Sequence, residues 1–575
     1  MLSSFASIRL MEKGNLPELG SIRAVDGIAA AQSARAEAKH REPFLRIPPF
    51  PGAKTSRFAE AGCASPLPAG LTDEIRRMRV GGSYWAAQPD IPKDCVLVRS
   101  AAALNAAARL AEGRPVVLWS VEGQPARAVS DGMTISGDCD PWHMLASAAA
   151  VVLEADDELR VIASLLDVPR YLYDPEHGRT TPDEGDAASL LGEAISATEF
   201  ENPFTGEPMG AVEAVELCAF WRRLIDSNRG IAGGVGFAFW KQDHVGSLLW
   251  NGTAPFRFLR TIPETVPSGA VALWRAKAPA QAVSALERLN TPLIEIEDGF
   301  LRSQGLGADC IPPLSITVDR LGAHFDPAVA SELECLLQDG EFDQQLIARA
   351  GELRRLIVAA GLGKYGQGSA AFERPAGKRR HILVPGQVED DRAVQAGGCG
   401  LVSNLELLKR VRAQAPDAYI LYKPHPDVLA GHRKGAIVDR VALRYADRVV
   451  GDIAIGSLVA MADEVHVNTS LAGFEALLRG KDVTTHGVPF YAGWGLTRDL
   501  GPVPARRTAR RTIDELVAAT LLLYPRYLDP VTGLPCPAEV VVERLSRCDA
   551  PEPGLLVGMR RLQGRLKRRL RSLVQ

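Results

Sequence analysis

A histidine set between two prolines, Lys423-Pro424-His425-Pro426, follows the apolar run Tyr419 to Tyr422, which reads as a buried strand. Each proline removes a backbone donor and fixes φ, so the turn is stiff and the His425 ring is aimed in one direction. A turn of this kind at the carboxyl end of a parallel strand lies where open α/β sheets bind ligands. Lys423 and His425 would face an anion there, and a nucleotide phosphate is the chemistry that suits them, with Pro426 completing the rigid frame. Thr469 and Ser470 end a second apolar run, Glu464 to Val467, and open a helix over residues 471–479. Hydroxyls and free backbone N–H groups at a helix start form an anion site without a metal. Glu475, one turn on, is placed to accept hydrogen bonds from ribose hydroxyls.

Carboxylates gather at two further strand ends. Glu297-Asp298-Gly299 closes the run Leu293 to Ile296, where an acid beside a glycine can face a cleft while the backbone approaches a sugar closely. Glu389-Asp390-Asp391 follows Val384-Pro385-Gly386. An acidic cluster there holds a divalent metal or, alternatively, supplies a nucleophile that attacks an anomeric carbon and forms a covalent glycosyl intermediate. Phe490, Tyr491 and Trp494 lie among glycines and suit either a nucleotide or sugar face or the core.

Five motifs in order, Glu297 to Ser303, Pro385 to Asp391, Lys423 to Pro426, Asn468-Thr469-Ser470 and Pro489 to Leu496, resemble the capsular-polysaccharide β-Kdo transferase family of the KpsC type over residues 215–545. The resemblance implies a retaining, metal-independent enzyme with no cofactor. It would move β-Kdo from CMP-β-Kdo to a lipid-linked saccharide. Asp391 is the implied nucleophile, Glu297 the acid/base, and Asp298 a second catalytic candidate. Arg302 and Ser303 would hold a sugar carboxylate, Gln387 would lie against substrate, and Lys423, His425, Pro426, Thr469, Ser470 and Glu475 would hold CMP. Two departures stand out. Asp391 is followed by Arg392-Ala393-Val394 where the family has Ala-Ser-Ile, and Lys364-Tyr365 is followed by Gly366 where the family has Asn.

These side chains need a scaffold. The chain reads as α/β, a GT-B type glycosyltransferase with two facing Rossmann-like halves and a degenerate N-terminal Rossmann-like module. The expected divisions are a poorly ordered segment 1–65, a degenerate and inactive transferase-like module 66–224, a first half with linker helix 225–370, a nucleotide-sugar half with crossover helix 371–550, and a basic amphipathic tail 551–575. The first module betrays itself as a repeat: residues 146–169 parallel 460–482, and Asn202 to Pro208 parallels Asp529 to Pro535. In the earlier copy Asp156 and Asp157 take the places of Thr469 and Ser470, so carboxylates would meet a phosphate where hydroxyls donate. A scaffold role is expected for it.

Composition narrows the class. A net charge of −3 gives no global attraction to nucleic acid, so none is expected as a partner. Nine cysteines without a Cys-x-x-Cys pair fit a reducing cytosol. Arg9, Glu12, Lys13, Glu18 and Arg23 leave no room for a signal-peptide core, and the expected location is the cytoplasm, peripheral on the inner face of the inner membrane. The tail would reach that surface through Arg560, Arg561, Arg565, Lys567, Arg568, Arg569 and Arg571 around a leucine stripe. Other capsule synthesis or export proteins are candidate partners. Two other readings stand beside the leading one: transfer of another CMP-nonulosonic acid or a UDP-sugar, and a non-catalytic assembly partner of a polysaccharide synthesis complex.

Overall fold

Short apolar runs bounded by turn residues become the strands of three sheets. A computed structural model of the chain describes residues 42–55, 58–61, 66–120, 133–196, 198–260, 269–303, 310–364, 366–367, 372–377, 379–431, 433–451 and 453–547. In chain order the strands are β1 (Cys95–Val98), β2 (Val116–Ser120), β3 (Met133–Ser136), β4 (Ala148–Leu153), β5 (Arg170–Asp174), β6 (Arg179–Pro182), β7 (Ile231–Val235), β8 (Ala270–Leu273), β9 (Leu293–Asp298) and β10 (Ser315–Asp319). They continue as β11 (His381–Pro385), β12 (Tyr419–Lys423), β13 (Arg448–Val449), β14 (Glu464–Val467), β15 (Asp482–Thr485), β16 (Arg498–Asp499), β17 (Pro525–Leu528) and β18 (Pro535–Cys536).

The nucleotide-side half is a parallel sheet in the order β13-β12-β11-β14-β15-β16. This is the doubly wound order, in which the chain reverses direction across the sheet between β11 and β14 and leaves a crevice at their carboxyl ends. Ile382, Val384, Ile420 and Tyr422 are buried on one face of it, and Leu383, Leu421, Val465 and Val467 on the other. The first half runs β7-β8-β9-β10-β17-β18, parallel as far as β9 and antiparallel after it. Its last two strands come from the far end of the chain. Helix Gln344–Ala359 leads from the first half to the second, with Asp343 capping it through Leu346 N at 2.7 Å. The return path is helix Ile513–Val517, a π-helical turn Ala518–Leu523, and then β17 beside β10. Arg354 pairs with Asp514 at 2.7 Å where the two crossings touch. The helical path ends at Leu523, because Pro525 has no N–H to continue it. Two Rossmann-like halves with the chain returning to the first is the GT-B architecture.

The N-terminal sheet has the order β3-β2-β1-β4-β5-β6, the same permutation as the nucleotide-side half, with only β6 antiparallel. The sequence repeat falls on matching elements: β4, its following helix and β5 against β14, its helix and β15. The second pair falls on matching hairpins, Thr198–Glu201 with Pro208–Met209 against β17 with β18. At the carboxyl ends of β1 and β4 the crevice is filled from within. Asp157 accepts from Leu159 N at 2.9 Å at the helix start and pairs with Arg99 at 2.9 Å, and Arg99 lies over the Trp119 ring.

Two expectations about ordering need correction. Residues 1–41 lie outside the described residues, but Phe44, Leu45, Ile47, Phe50 and Phe58 are buried, so the loose segment does not extend to residue 65. Phe50 and Phe58 pack on Trp221 with ring centroids at 6.3 and 5.7 Å, and this buried aromatic surface anchors both residues to the joining helix. The boundary at 224 falls inside helix Ala211–Asn228, which joins the modules. The tail 551–575 lies outside the described residues. Among the described residues no helix is long and apolar enough to cross a membrane.

Trp221 is fully buried and donates its indole N–H to Pro535 O at 2.9 Å, tying the joining helix to β18. Truncation to alanine should cost about 3–5 kcal/mol of unfolding free energy, read as a lower denaturant midpoint by circular dichroism. An unchanged midpoint would mean that the joining helix does not bind the modules together.

Candidate active site

The carboxyl ends of the two half-sheets face one another across a cleft of about 1110 Å³. On the nucleotide side, the crevice between β11 and β14 is pinned by one side chain. Gln387 donates from Nε2 to Thr469 Oγ1 at 2.9 Å, and its Oε1 accepts from Thr469 N at 3.0 Å. Its own backbone is held on both sides by Asn404. Gln387 thus sets the width of the crevice, and Thr469, whose oxygen is accepting, keeps its hydroxyl proton for a further acceptor.

His425 begins the turn Pro426–Leu429, with Pro426 at its first position, and accepts from Asp427 N at Nδ1, 3.1 Å. That bond leaves the proton on Nε2. Burial pulls its pKa down to about 4, with the nearby lysines and Arg433 acting in the same direction and Asp427 against them. The ring is therefore a neutral, directed donor near pH 7, beside the Lys423 cation. Lys423 is 7% exposed and reaches Gly451 O at 3.0 Å. Ser470 caps helix Leu471–Leu478 by accepting from Ala472 N at 3.2 Å. Glu475 is buried on that helix. Its Oε1 accepts from Lys364 N at 2.7 Å, while Oε2 has no hydrogen-bond partner among the described residues, and burial raises its pKa. An orphaned buried carboxylate oxygen is costly unless a ligand supplies the donor.

On the opposite wall, Glu297 and Asp298 end β9 with contrasting surroundings. Asp298 accepts from Lys241 Nζ at 3.0 Å and from Arg302 Nε at 2.9 Å. Burial opposes its charge, but Arg302 first and Lys241 next hold its carboxyl well below the usual range. It is a permanent anion that fixes its neighbours. Glu297 meets one cation, Arg392 of the other half, at 2.7 Å, and burial pushes it up to about 7 against the pull of that guanidinium. Only Glu297 is poised to exchange a proton near neutrality.

Arg302 is 2% exposed and donates to Asp298, to Ser303 Oγ at 2.6 Å and to Ile311 O at 2.9 Å. The expectation that Arg302 and Ser303 grip a sugar carboxylate is corrected: the fork holds the first half's own groups, because Asp298 needs it. Gly299 also serves a different purpose from the one expected. A Cβ there would lie 2.2 Å from Ser315 Oγ, so the glycine admits a neighbouring strand rather than a sugar.

Of the three acids after β11, two share Arg433, which lies 3.7 Å from Asp391 as well as against Asp390. Glu389 accepts from Asn404 N at 2.8 Å, Asp390 pairs with Arg433 at 3.3 Å, and Asp391 caps helix Arg392–Gly397 through Ala393 N at 3.0 Å. Asp391 alone of these lines the cleft, with nearly half its side chain exposed. Tyr491 and Trp494 are core residues, whereas Phe490 reaches the cleft. Sequence reasoning missed Lys241, His324 and Arg392 as members of the site. Lys241 ends the aromatic run Phe237 to Trp240 and lies 3.4 Å from the centre of the Trp274 ring. His324 is half-buried among Phe300, Phe325, Phe490 and Tyr524, and desolvation there pulls its pKa to about 3. A signal was available for Arg392 alone, since it directly follows Asp391.

Replacing Arg302 by alanine strips a buried carboxylate of its main partner and should destabilise the fold by about 3–5 kcal/mol. Adding Asp298→Asn should recover part of that loss in a double-mutant cycle followed by chemical denaturation. Additive losses would show that the two residues do not act on each other.

The profile described as "Capsule polysaccharide biosynthesis protein" matches residues 269–527. The chain is 40% identical over 361 residues to the capsule polysaccharide modification protein LipA of Neisseria meningitidis serogroup A, covering 61% of this chain and 51% of LipA. It is 45% identical over 240 residues to the lipopolysaccharide-processing protein LpsZ of Rhizobium meliloti, covering 41% of this chain and 54% of LpsZ. The chain thus spans about half the length of the curated relatives it matches. Among solved structures, the Thermosulfurimonas dismutans KpsC β-Kdo 2,4 transferase is 32% identical, covering 56% of this chain and 98% of that one with a TM-score of 0.49. Residues 269–527 thus match a family of capsule polysaccharide biosynthesis proteins, and the chain is similar to LipA and LpsZ over the shares given.

Proposed function

We propose that the chain is a retaining glycosyltransferase that moves β-Kdo from CMP-β-Kdo to a lipid-linked saccharide in the synthesis of a capsule or other surface polysaccharide, without a metal. The observation that carries this reading is the pairing, across one cleft, of a directed anion and hydroxyl site with an acid tuned to about 7. On one wall Lys423, the Nε2–H of His425, the Ser470 helix start and the orphan oxygen of Glu475 match a phosphate and a ribose. The other wall presents Glu297. The motif resemblance and the family supply the identity of the sugar.

In this reading Asp391 attacks the anomeric carbon. A carboxylate-to-carbon bond forms as the carbon–phosphate-oxygen bond breaks, and CMP leaves with the electron pair. Directed N–H groups and Lys423 stabilise that charge. An acceptor hydroxyl then attacks the same carbon, frees Asp391 and gives its proton to Glu297, so two inversions give net retention. Asp298 touches neither sugar and acts as a positioning residue. The proposed place of action is the inner face of the inner membrane, where the basic stretch 559–573 would meet anionic lipid.

CMP release from freshly generated CMP-Kdo, with a Kdo-bearing glycolipid acceptor and EDTA present, is the direct test, and turnover is expected. Bound CMP without turnover would move the reading to another CMP-linked nonulosonic donor or another acceptor. Absence of CMP binding would leave the assembly-partner reading. Asp391→Ala should abolish transfer and leave CMP affinity nearly intact by calorimetry. His425→Ala should weaken CMP binding about tenfold, the loss of one hydrogen bond to a charged group; equal affinities would remove His425 from the phosphate site.

A further inference from the structure

One side chain crosses the cleft at its chemical centre. Arg392 belongs to the nucleotide-side half, one residue after Asp391 and at the first position of helix Arg392–Gly397. Its Nη1 reaches β9 of the first half, 2.7 Å from Glu297 Oε1 and 3.4 Å from Glu295 Oε2. Its guanidinium carbon lies 5.0 Å from the ring centre of Phe325, also of the first half. Glu295 is shared with Arg275, so the second contact adds to a pair already made, whereas Glu297 has Arg392 as its direct ion-pair partner among the described residues. A neighbour of the proposed nucleophile is thus wired to the proposed base.

We propose that Arg392 is a positioning residue that keeps Glu297 ionised and aimed across the cleft, so that the base is competent only when the two halves are closed on each other. The inference rests on the transferase reading above. In the double displacement, CMP is a stable anion and leaves without a protonated acid. The second step needs a base to take the acceptor proton. That base must be ionised on arrival and in reach of a carbon bonded to Asp391. Because Arg392 directly follows Asp391 in the chain, its grip on Glu297 sets the distance between base and nucleophile. Opening the cleft would pull the guanidinium away from Glu297 and leave the base without the group that aims it toward Asp391.

The charged groups facing Glu297 come from four elements. Asp298 and Glu295 lie on its own strand, and both disfavour its charge. Lys241, from the turn after β7, favours it but is already bonded to Asp298. Arg392 favours it most. His324, on the loop after β10, is held neutral by desolvation. Removing Arg392 therefore has one direction: the acid pKa of Glu297 rises, and its base form is reached only at higher pH.

The test is the pH profile of kcat/KM for transfer by the full chain, between about pH 5.5 and 9.5, for the wild type, Arg392→Ala and Arg392→Lys. The wild type should show an acid limb near 7, the value to which Glu297 is pushed. Arg392→Ala should move that limb up by about one unit, which is about a tenfold loss at pH 6.5 regained at pH 9. Arg392→Lys should restore the limb toward its wild-type position. A uniform loss at every pH would overturn the proposal in favour of a purely structural contact. A rise in donor KM alone would overturn it in favour of a substrate contact. An infrared titration of the protonated carboxyl band that vanishes in Glu297→Gln provides a reading that needs no turnover. An upward shift of that band in Arg392→Ala supports the coupling even where transfer fails, and an unshifted band sinks it. Absence of wild-type transfer with a shifted band would fault the transferase reading and leave the Arg392–Glu297 coupling standing.

Discussion

Two neighbouring carboxylates at the end of one strand, facing a covered cleft, cannot both be left to themselves. They repel each other, and burial disfavours the charge on each. The fold resolves this by giving them unequal neighbours. Asp298 receives Arg302 and Lys241 from its own half and becomes a fixed anion, and Glu297 receives Arg392 from the other half and stays close to titration. The fixed ion organises what surrounds it. Arg302 donates its backbone N–H to Lys364 O at 3.1 Å, and Lys364 N donates to Glu475 at 2.7 Å. A continuous line of bonds therefore runs from Asp298 on the first half through the linker to the carboxylate on the far wall that would receive a ribose. The geometry of both walls depends on how that one buried charge is neutralised.

The same strand order and crevice occur twice in the chain, with different side chains at the helix start. Both doubly wound sheets reverse order between their first and fourth strands, and both start a helix at the fourth strand's carboxyl end. In the nucleotide-side half the helix start presents Thr469 and Ser470, with Gln387 holding the gap open. In the N-terminal sheet Asp157 fills the equivalent helix start and Arg99 cancels its charge. A carboxylate that already accepts from the helix N–H groups does to them what a phosphate would do, so the anion site is satisfied internally. The sheet is thereby free to serve as packing surface, and the aromatic contacts of Phe50, Phe58 and Trp221 join it to the rest.

The strands that carry the site were legible because they are short, apolar and bounded by glycine, proline or acid. The runs Leu293 to Ile296, Tyr419 to Tyr422 and Glu464 to Val467 all appear as strands within two residues of the expected bounds. The repeat could be read because a βα unit keeps its pattern even where its chemistry has been lost. Less legible was what each polar side chain would face. Arg302 looks like a ligand-binding fork until Asp298 is seen to need it, and Gly299 looks like room for a sugar until Ser315 is seen beside it. The Gly299 contact depends on strand β10, which runs antiparallel to β9, and nothing local in Ser315 to Asp319 marks that direction. Arg392 was noted only as an altered residue, since a contact between residues 95 positions apart belongs to tertiary structure.

Most charges of the cleft are matched from within. Lys241 and Arg302 are bonded to Asp298, Arg392 to Glu297, and Arg433 to Asp390, while Lys423 lies against Gly451 O and remains a cation of the cleft. In the proposed reading an anion would meet that cation together with directed donors: the neutral His425 Nε2–H, the Thr469 hydroxyl and the helix start at Ser470. Neutral donors of fixed direction reject an anion of the wrong shape more strongly than they attract one of the right charge, because each misplaced contact leaves a desolvated N–H unpaired. The prolines around His425, the Gln387 bridge and the Asp298 anchor all serve that requirement: each removes freedom from a donor or from the strand end that carries it.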